Sequence, residues 1–463
     1  MRSVFPRFII YCLITTVFAA SVAEVAAQSK RDRKAAEKLT VEGEKSFQQK
    51  DYQSAVGKYA QAIVLTPSNP KAHFQKGYAH YYLKEFDQSL GEFDTAFNQG
   101  YTPLEVYKIR WLINFEKKNF DAALDDAQKG LRLAPSDSTL NLAVGQIYFA
   151  KNSFAEALAA FQKTLELNPN NVDINYFIAS TYQNLGDDKK QQTFAEEAVK
   201  KNTKYLGESY FLIGDAQQKS KNYNEAIEAY RKSLSAKPDI YGAYRNLSDV
   251  YRRQNRFEEA VETAKKGLEL FPNDANLYLD LSRYYSLADH SALAIGAAQQ
   301  AVKLTPVKSA AYASLCRADY ENKQFESALE ACNSALKLNP DDGETNIYLG
   351  FTYLSLDKTD KATEYFKKAV AGLKDYTQKN PEYSDGFYLL GNAYYYANQA
   401  ENAVDAYSRS LQLNPQFTKA RFNLGLAYFV SGKTTAAREQ YEALLKVDKD
   451  LAAKLKQTIE KKK

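Results

Sequence analysis

Apolar residues recur along this chain in pairs of stretches about 13 residues long, each pair broken once by a polar corner and most pairs closed by a proline. The spacing within each stretch is that of an amphipathic helix, with one buried stripe and one wet face. Pro67, Pro135, Pro169, Pro238, Pro272, Pro306, Pro340 and Pro415 mark the ends of the pairs. They are separated by 34 residues or multiples of 34, apart from one extra residue before Pro238 and seven before Pro415. Proline biases the residue before it away from the helix, so each second stretch should stop just short of it. Twelve windows of 34 residues, starting at Ala36, cover residues 36–451.

Three columns of this register hold small residues. Position 8 carries Gly43, Gly77, Gly145, Gly214, Gly350, Gly391 and Gly425; position 20 carries Ala in most windows; position 27 carries Ala, Gly or Ser in most. Between them position 24 holds large rings, among them Tyr59, Phe93, Phe161, Tyr230, Phe366, Tyr407 and Tyr441. Two helices that cross closely need small residues at the contact and large ones beside it. A single hairpin of this size cannot bury its apolar face alone, so neighbours must stack.

With several columns agreeing over a dozen windows, the chain resembles the tetratricopeptide repeat family over about nine tenths of its length. The resemblance implies an all-α fold: a right-handed α-solenoid superhelix of about twelve helix pairs. It also implies a concave face, lined by the first helix of each pair, that binds peptides or proteins. Residues 28–35 read as a short polar lead-in. Residues 452–463 read as a capping helix, with Leu451, Leu455 and Ile459 on one stripe, followed by the tail Lys461-Lys462-Lys463.

Some windows depart from the pattern. Trp111 stands where Gly is usual, opposite Ala127 and Gly130, which reads as a large-for-small exchange. The fifth window, 172–205, has Asp188 in place of a ring, Gln191 in place of Ala and Thr203 in place of Pro, and is expected to pack loosely. The tenth carries its seven extra residues around 372–379, which predicts a second helix about two turns longer than the others.

At the N-terminus, Arg2 and Arg7 precede the apolar run Phe8–Ala23, and Val25-Ala26-Ala27 offers a small-residue cleavage point before Gln28. This is the layout of a signal peptide over residues 1–27. It predicts an exported protein, in a bacterial periplasm, with no membrane span once the signal is removed. The run is short of the roughly 20 residues a spanning helix needs. A net charge of +5 over 463 residues is too weak to point to nucleic acid.

Candidate chemistry is sparse, and a non-enzymatic chain without metal or cofactor is expected. His73 and His80 lie seven apart at positions that face the core, and His290 sits in a turn. Cys316 and Cys332 occupy positions 8 and 24 of one window, about a turn out of direct opposition. They can bridge in an oxidising compartment or serve as small buried residues.

The positions that the resemblance assigns to the concave face hold Tyr78 and Tyr82 in the second window and Tyr395 and Tyr396 in the eleventh. Between them come Arg245, Arg252, Arg253, Arg283 and Arg317. If unpaired, this row suits bidentate capture of carboxylates on an acidic protein segment. It can equally pair internally, with Asp249, Asp280 and Glu321. The tyrosines leave a second reading open, glycan handling in polysaccharide export or cell-envelope assembly.

Overall fold

A computed structural model describes residues 29–460. All regular structure among them is helical, in 25 helices. They run in pairs, from α1 (29–48) and α2 (Tyr52–Leu65) in the first repeat to α23 (Thr418–Val430) and α24 (Thr434–Leu445) in the twelfth. A final helix, α25 (Lys449–Glu460), follows. The fold is an α-solenoid of stacked helix pairs. The expected signal segment and the terminal lysines lie outside the described residues. From residue 29 the expected polar lead-in is already helical and forms the start of α1.

Helix ends follow the local chemistry. Asp51, Asn69, Asp137, Asp187, Asp274 and Asp342 each accept a hydrogen bond from the backbone N–H three residues on, which satisfies a donor the helix itself leaves open. Second helices end just before the proline: α2 stops at Leu65, ahead of Pro67. The corner within each pair is closed by one residue in the left-handed region. These are Lys50, Lys84, Lys118, Asn152 and Gly186, then Lys221, Asn255, Asp289, Lys323, Asp357, Asn398 and Gly432.

Positions 8 and 24 face each other directly. A Cβ placed on Gly214 would lie 2.7 Å from the Tyr230 ring, and one on Gly77 2.9 Å from Phe93. The rings at Tyr59, Phe93, Phe161, Tyr230, Phe366 and Tyr407 are fully buried against this contact. Each contributes about 2–3 kcal/mol by leaving water. The same opposition explains two departures. Trp111 and Ala127 share one core cluster with large and small exchanged. Cys316 and Cys332 form a disulfide with Cα atoms 4.9 Å apart. The expectation that these cysteines sit a turn out of register is corrected: they stand where other repeats place a glycine under a ring.

The chain divides into two compact units, the first ending at Lys204 and the second starting at Tyr205. The division falls beside the one extra residue of the repeat arithmetic. The first unit holds repeats 1–5. Its fifth repeat, α9 (Ile174–Leu185) and α10 (Asp188–Lys200), buries Ile174, Ile178, Tyr182, Ala195 and Ala198. Where proline is missing, Thr203 Oγ1 and the Lys204 N–H both donate to Asp173, at 2.7 and 3.1 Å. A side-chain tie thus stands where other repeats have a proline corner.

The second unit holds repeats 6–12 and α25, which buries Ala452, Leu455 and Ile459. In repeat 10, α20 (Thr359–Lys379) is 21 residues long against 14 for α18 (Phe325–Leu338). Its extra turns are rooted by Gly372, which lies against the Gly343 backbone, and by the buried Leu373 and Thr377.

Candidate functional site

In the second unit, first helices of successive repeats line a groove of about 480 Å³. Its walls come from α13 (Tyr241–Arg253), α15 (Ala275–Leu287), α17 (Ser309–Glu321) and the start of α19 (Gly343–Ser355). Arg245, Arg252, Arg283 and Arg317 all line it, and Arg253 borders an adjoining cavity of about 190 Å³.

None of the five arginines is unpaired. Arg245 Nε donates to Asp280 at 2.7 Å. Arg252 donates through Nε and Nη2 to Asp249, at 3.0 and 2.8 Å, and through Nη1 to Asp385. Arg253 Nε donates to the other oxygen of Asp249 at 2.6 Å. Arg283 Nη2 and Arg317 Nη1 share Glu344, at 3.2 and 2.5 Å. Of the two arrangements left open for this row, the structure has the internal pairing, with partners that differ in part from those expected. Asp249 and Asp280 take part, but Glu344 and Asp385 stand where Glu321 was expected. Glu321 instead accepts from the Tyr348 hydroxyl at 3.4 Å, and its other oxygen is buried without a hydrogen bond.

Charge and burial oppose each other throughout this network. Burial raises the carboxyl pKa of Glu344, but Arg283 and Arg317 outweigh it and hold the group below its ordinary value. Burial likewise works against Asp249, and the flanking Arg252 and Arg253 bring it below the usual range. These carboxylates stay ionised at neutral pH. Arg317 spends Nη1 on Glu344 and Nη2 on Ser314, and its buried Nε has no hydrogen-bond partner.

The tyrosines behave differently. Tyr78 and Tyr82 belong to the first unit, in a ring cluster with Phe47 and Tyr52. Tyr82 stacks on Tyr52 at 4.8 Å and Tyr78 on Phe47 at 5.1 Å. Tyr396 stacks on Phe366 at 5.0 Å and meets Phe351 edge-on, while Tyr395 lies across Tyr396. Each ring spends contact surface on another ring.

Among the described residues no group of three or more His, Cys, Asp or Glu is arranged to hold a metal ion. His73 and His80 pair with Glu92 and Glu85, both at 2.6 Å, and His290 with Glu258 at 2.9 Å. Asp319 is buried at 4% exposure, and burial pushes its pKa up to about 6. No helix among the described residues is long and apolar enough to cross a membrane.

Family models for tetratricopeptide repeats match residues 43–83, 145–186 and 391–432 in one form, 211–275 and 279–343 in a second, and 172–202, 346–371 and 418–451 in a third. The chain belongs to the tetratricopeptide repeat family. This repeat protein is 28% identical over 104 residues to the small glutamine-rich tetratricopeptide repeat-containing protein 2 of Saccharomyces cerevisiae. It is 30% identical over 104 residues to serine/threonine-protein phosphatase 5 of Rattus norvegicus. Each match takes in 22% of this chain, and they span 30% and 21% of those relatives. A chain in the crystal structure of the APC/C hetero-tetramer Cut9-Hcn1 aligns with a TM-score of 0.44 at 13% identity, covering 96% of this repeat protein and 99% of that chain.

Sequence reasoning reached the five arginines but missed Glu344 and Asp385. Both stand at position 2 of their repeats, one of the positions assigned to the concave face. Following that position into repeats 10 and 11 would have found them.

Proposed function

We propose that this repeat protein is a non-enzymatic scaffold whose second unit holds a protein segment in the guanidinium-lined groove. The observation that carries the reading is the Arg245–Asp280 and Arg283–Glu344–Arg317 network lining a groove of about 480 Å³. Arg245 and Arg283 keep 38% and 39% of their side chains exposed, so an incoming carboxylate can reach them without unpacking the repeat. A bidentate guanidinium contact gives such a segment both charge and orientation. The partner is accordingly an acidic protein segment. The glycan alternative has less support, because Tyr78, Tyr82, Tyr395 and Tyr396 lie against other rings.

The test starts from a partner captured by pull-down and identified, whose affinity is then measured for the native chain and for Arg245→Gln/Arg283→Gln. The expected outcome is a loss of about tenfold or more, since a charge-assisted hydrogen bond contributes roughly 1.5–3 kcal/mol. Affinity should also fall as salt rises. Unchanged affinity with intact helicity would remove the groove from the account.

The compartment is part of the same proposal. The Cys316–Cys332 disulfide supports an exported, oxidising location. N-terminal sequencing of the protein from its native compartment should start at Gln28, and retention of Phe8–Ala23 would overturn this.

A further inference from the structure

Among the described residues, most ion pairs between repeats in the second unit join residues one or two repeats apart. Arg252 to Asp385 is different, joining residues 133 positions apart, in repeats 7 and 11. The cause lies in repeat 10. Seven extra residues lengthen α20 by about two turns, or roughly 10 Å, and carry the corner before α21 (Ser384–Tyr396) along with it. That corner brings Tyr383 beneath the Arg253 guanidinium, 5.0 Å from the ring centroid, and Asp385 onto Arg252 Nη1. Tyr383 lines both the adjoining cavity and the groove, where Arg283 and Arg317 are lining residues with it.

The root and the tip of this element are held unequally. Gly372 on Gly343, with Leu373 and Thr377 buried, fixes the root. At the tip, Tyr383 remains 38% exposed and the Asp385 side chain 30% exposed. Its hold on α13 consists of one ring–cation contact and one ion pair. Both are contacts that another chain of the same chemistry can replace.

We propose that Tyr383-Ser384-Asp385 is an internal occupant of the groove, and that the partner displacing it carries the same signature, an aromatic ring two residues ahead of a carboxylate. The ring goes beneath Arg253 and the carboxylate goes to Arg252. Because the occupant is tethered, its effective concentration is high, and weak or incomplete mimics do not enter. The inference rests on the reading of the groove as a binding site for an acidic segment, and sharpens it into a recognition rule.

The test uses a fluorescent, end-capped peptide with the sequence of residues 380–387 and three forms of the full chain. Tyr383→Ala/Asp385→Asn, which empties the groove, should bind the peptide at least tenfold more tightly than the native chain. Adding Arg252→Ala should remove the gain. The same peptide with Ala for its Tyr and Asn for its Asp should not bind. If the emptied chain keeps its helicity yet binds no better than the native one, or takes both peptides equally, the proposal is wrong.

Tyr383→Ala alone is a mild change at an exposed position and guards against a folding artefact. It should speed amide exchange across residues 249–256, and unchanged exchange there would also overturn the proposal. Failure here is separable from failure of the groove itself. A partner whose affinity depends on Arg245 and Arg283, met by an emptied chain that gains nothing, defeats the internal occupant alone. A partner indifferent to those arginines defeats the groove.

Discussion

Repeat 2 and repeats 7–9 present the same face of the same helix, and they satisfy it by opposite means. In repeat 2, Tyr78, Tyr81 and Tyr82 pack on one another and on Phe47 and Tyr52, neighbours in sequence or in the adjoining repeat. Ring contacts of this kind are short-ranged, so the face completes itself locally. In repeats 7–9 the face is built from guanidiniums, and Arg252 and Arg283 take carboxylates from repeats 11 and 10. Apolar faces can be finished by whatever packs beside them. Charged faces, once buried, require a partner of opposite sign wherever the fold can deliver one.

This contrast is broken most sharply at Glu344, which serves two guanidiniums. Glu344→Gln leaves Arg283 and Arg317 without a charge partner and should cost about 3–5 kcal/mol. Urea unfolding should show the loss in the second unit, with the first unit unmoved. A smaller effect is expected on the aromatic side. Tyr78→Ala removes a half-buried ring and should cost about 2 kcal/mol. Its cost should be the same at low and high salt, because nothing charged is exposed by the change. A Tyr78 cost that exceeds that of Glu344, or that varies with salt, would invert the comparison.

The smallest effect concerns a charge with no opposite partner at all. The folded pKa of Asp319, about 6, lies above its ordinary value of 3.8. The protonated acid therefore favours the fold below pH 3.8, and that contribution is lost as pH rises through about 6. Asp319→Asn should match the native chain near pH 4 and exceed it by about 1–2 kcal/mol at pH 7.5. Stability curves that stay parallel across this range would show that burial of Asp319 has no consequence for folding.

What could be read from the sequence depended on the reach of each interaction. The small-residue columns, the proline stops and the seven-residue extension of α20 act within one repeat or between neighbours, and all were legible. The Cys316–Cys332 bond was half legible: the residues were found, but their opposition emerged only from the Gly–ring pairs of the other repeats. The pairing of Arg252 with Asp385 was not legible, because it depends on where two extra helical turns set down a corner. The Thr203–Asp173 tie was hidden for a related reason. The missing proline is visible in the sequence, but the side chain that takes its place at the corner is seen only in the fold.

The left-handed corners give the first unit a direction. Lys50, Lys84 and Lys118 hold that backbone state in three consecutive repeats, while Asn152 and Gly186 hold it in the next two. For a lysine the state costs about 1–2 kcal/mol; asparagine tolerates it better, and glycine adopts it freely. Each repeat leans mainly on its neighbours, and among the described residues the first repeat has only one. Intrinsic stability is thus lowest where support is also lowest. On warming, the first unit should peel from α1 inward, one helix pair after another, as a zipper opens from the end where its teeth are weakest.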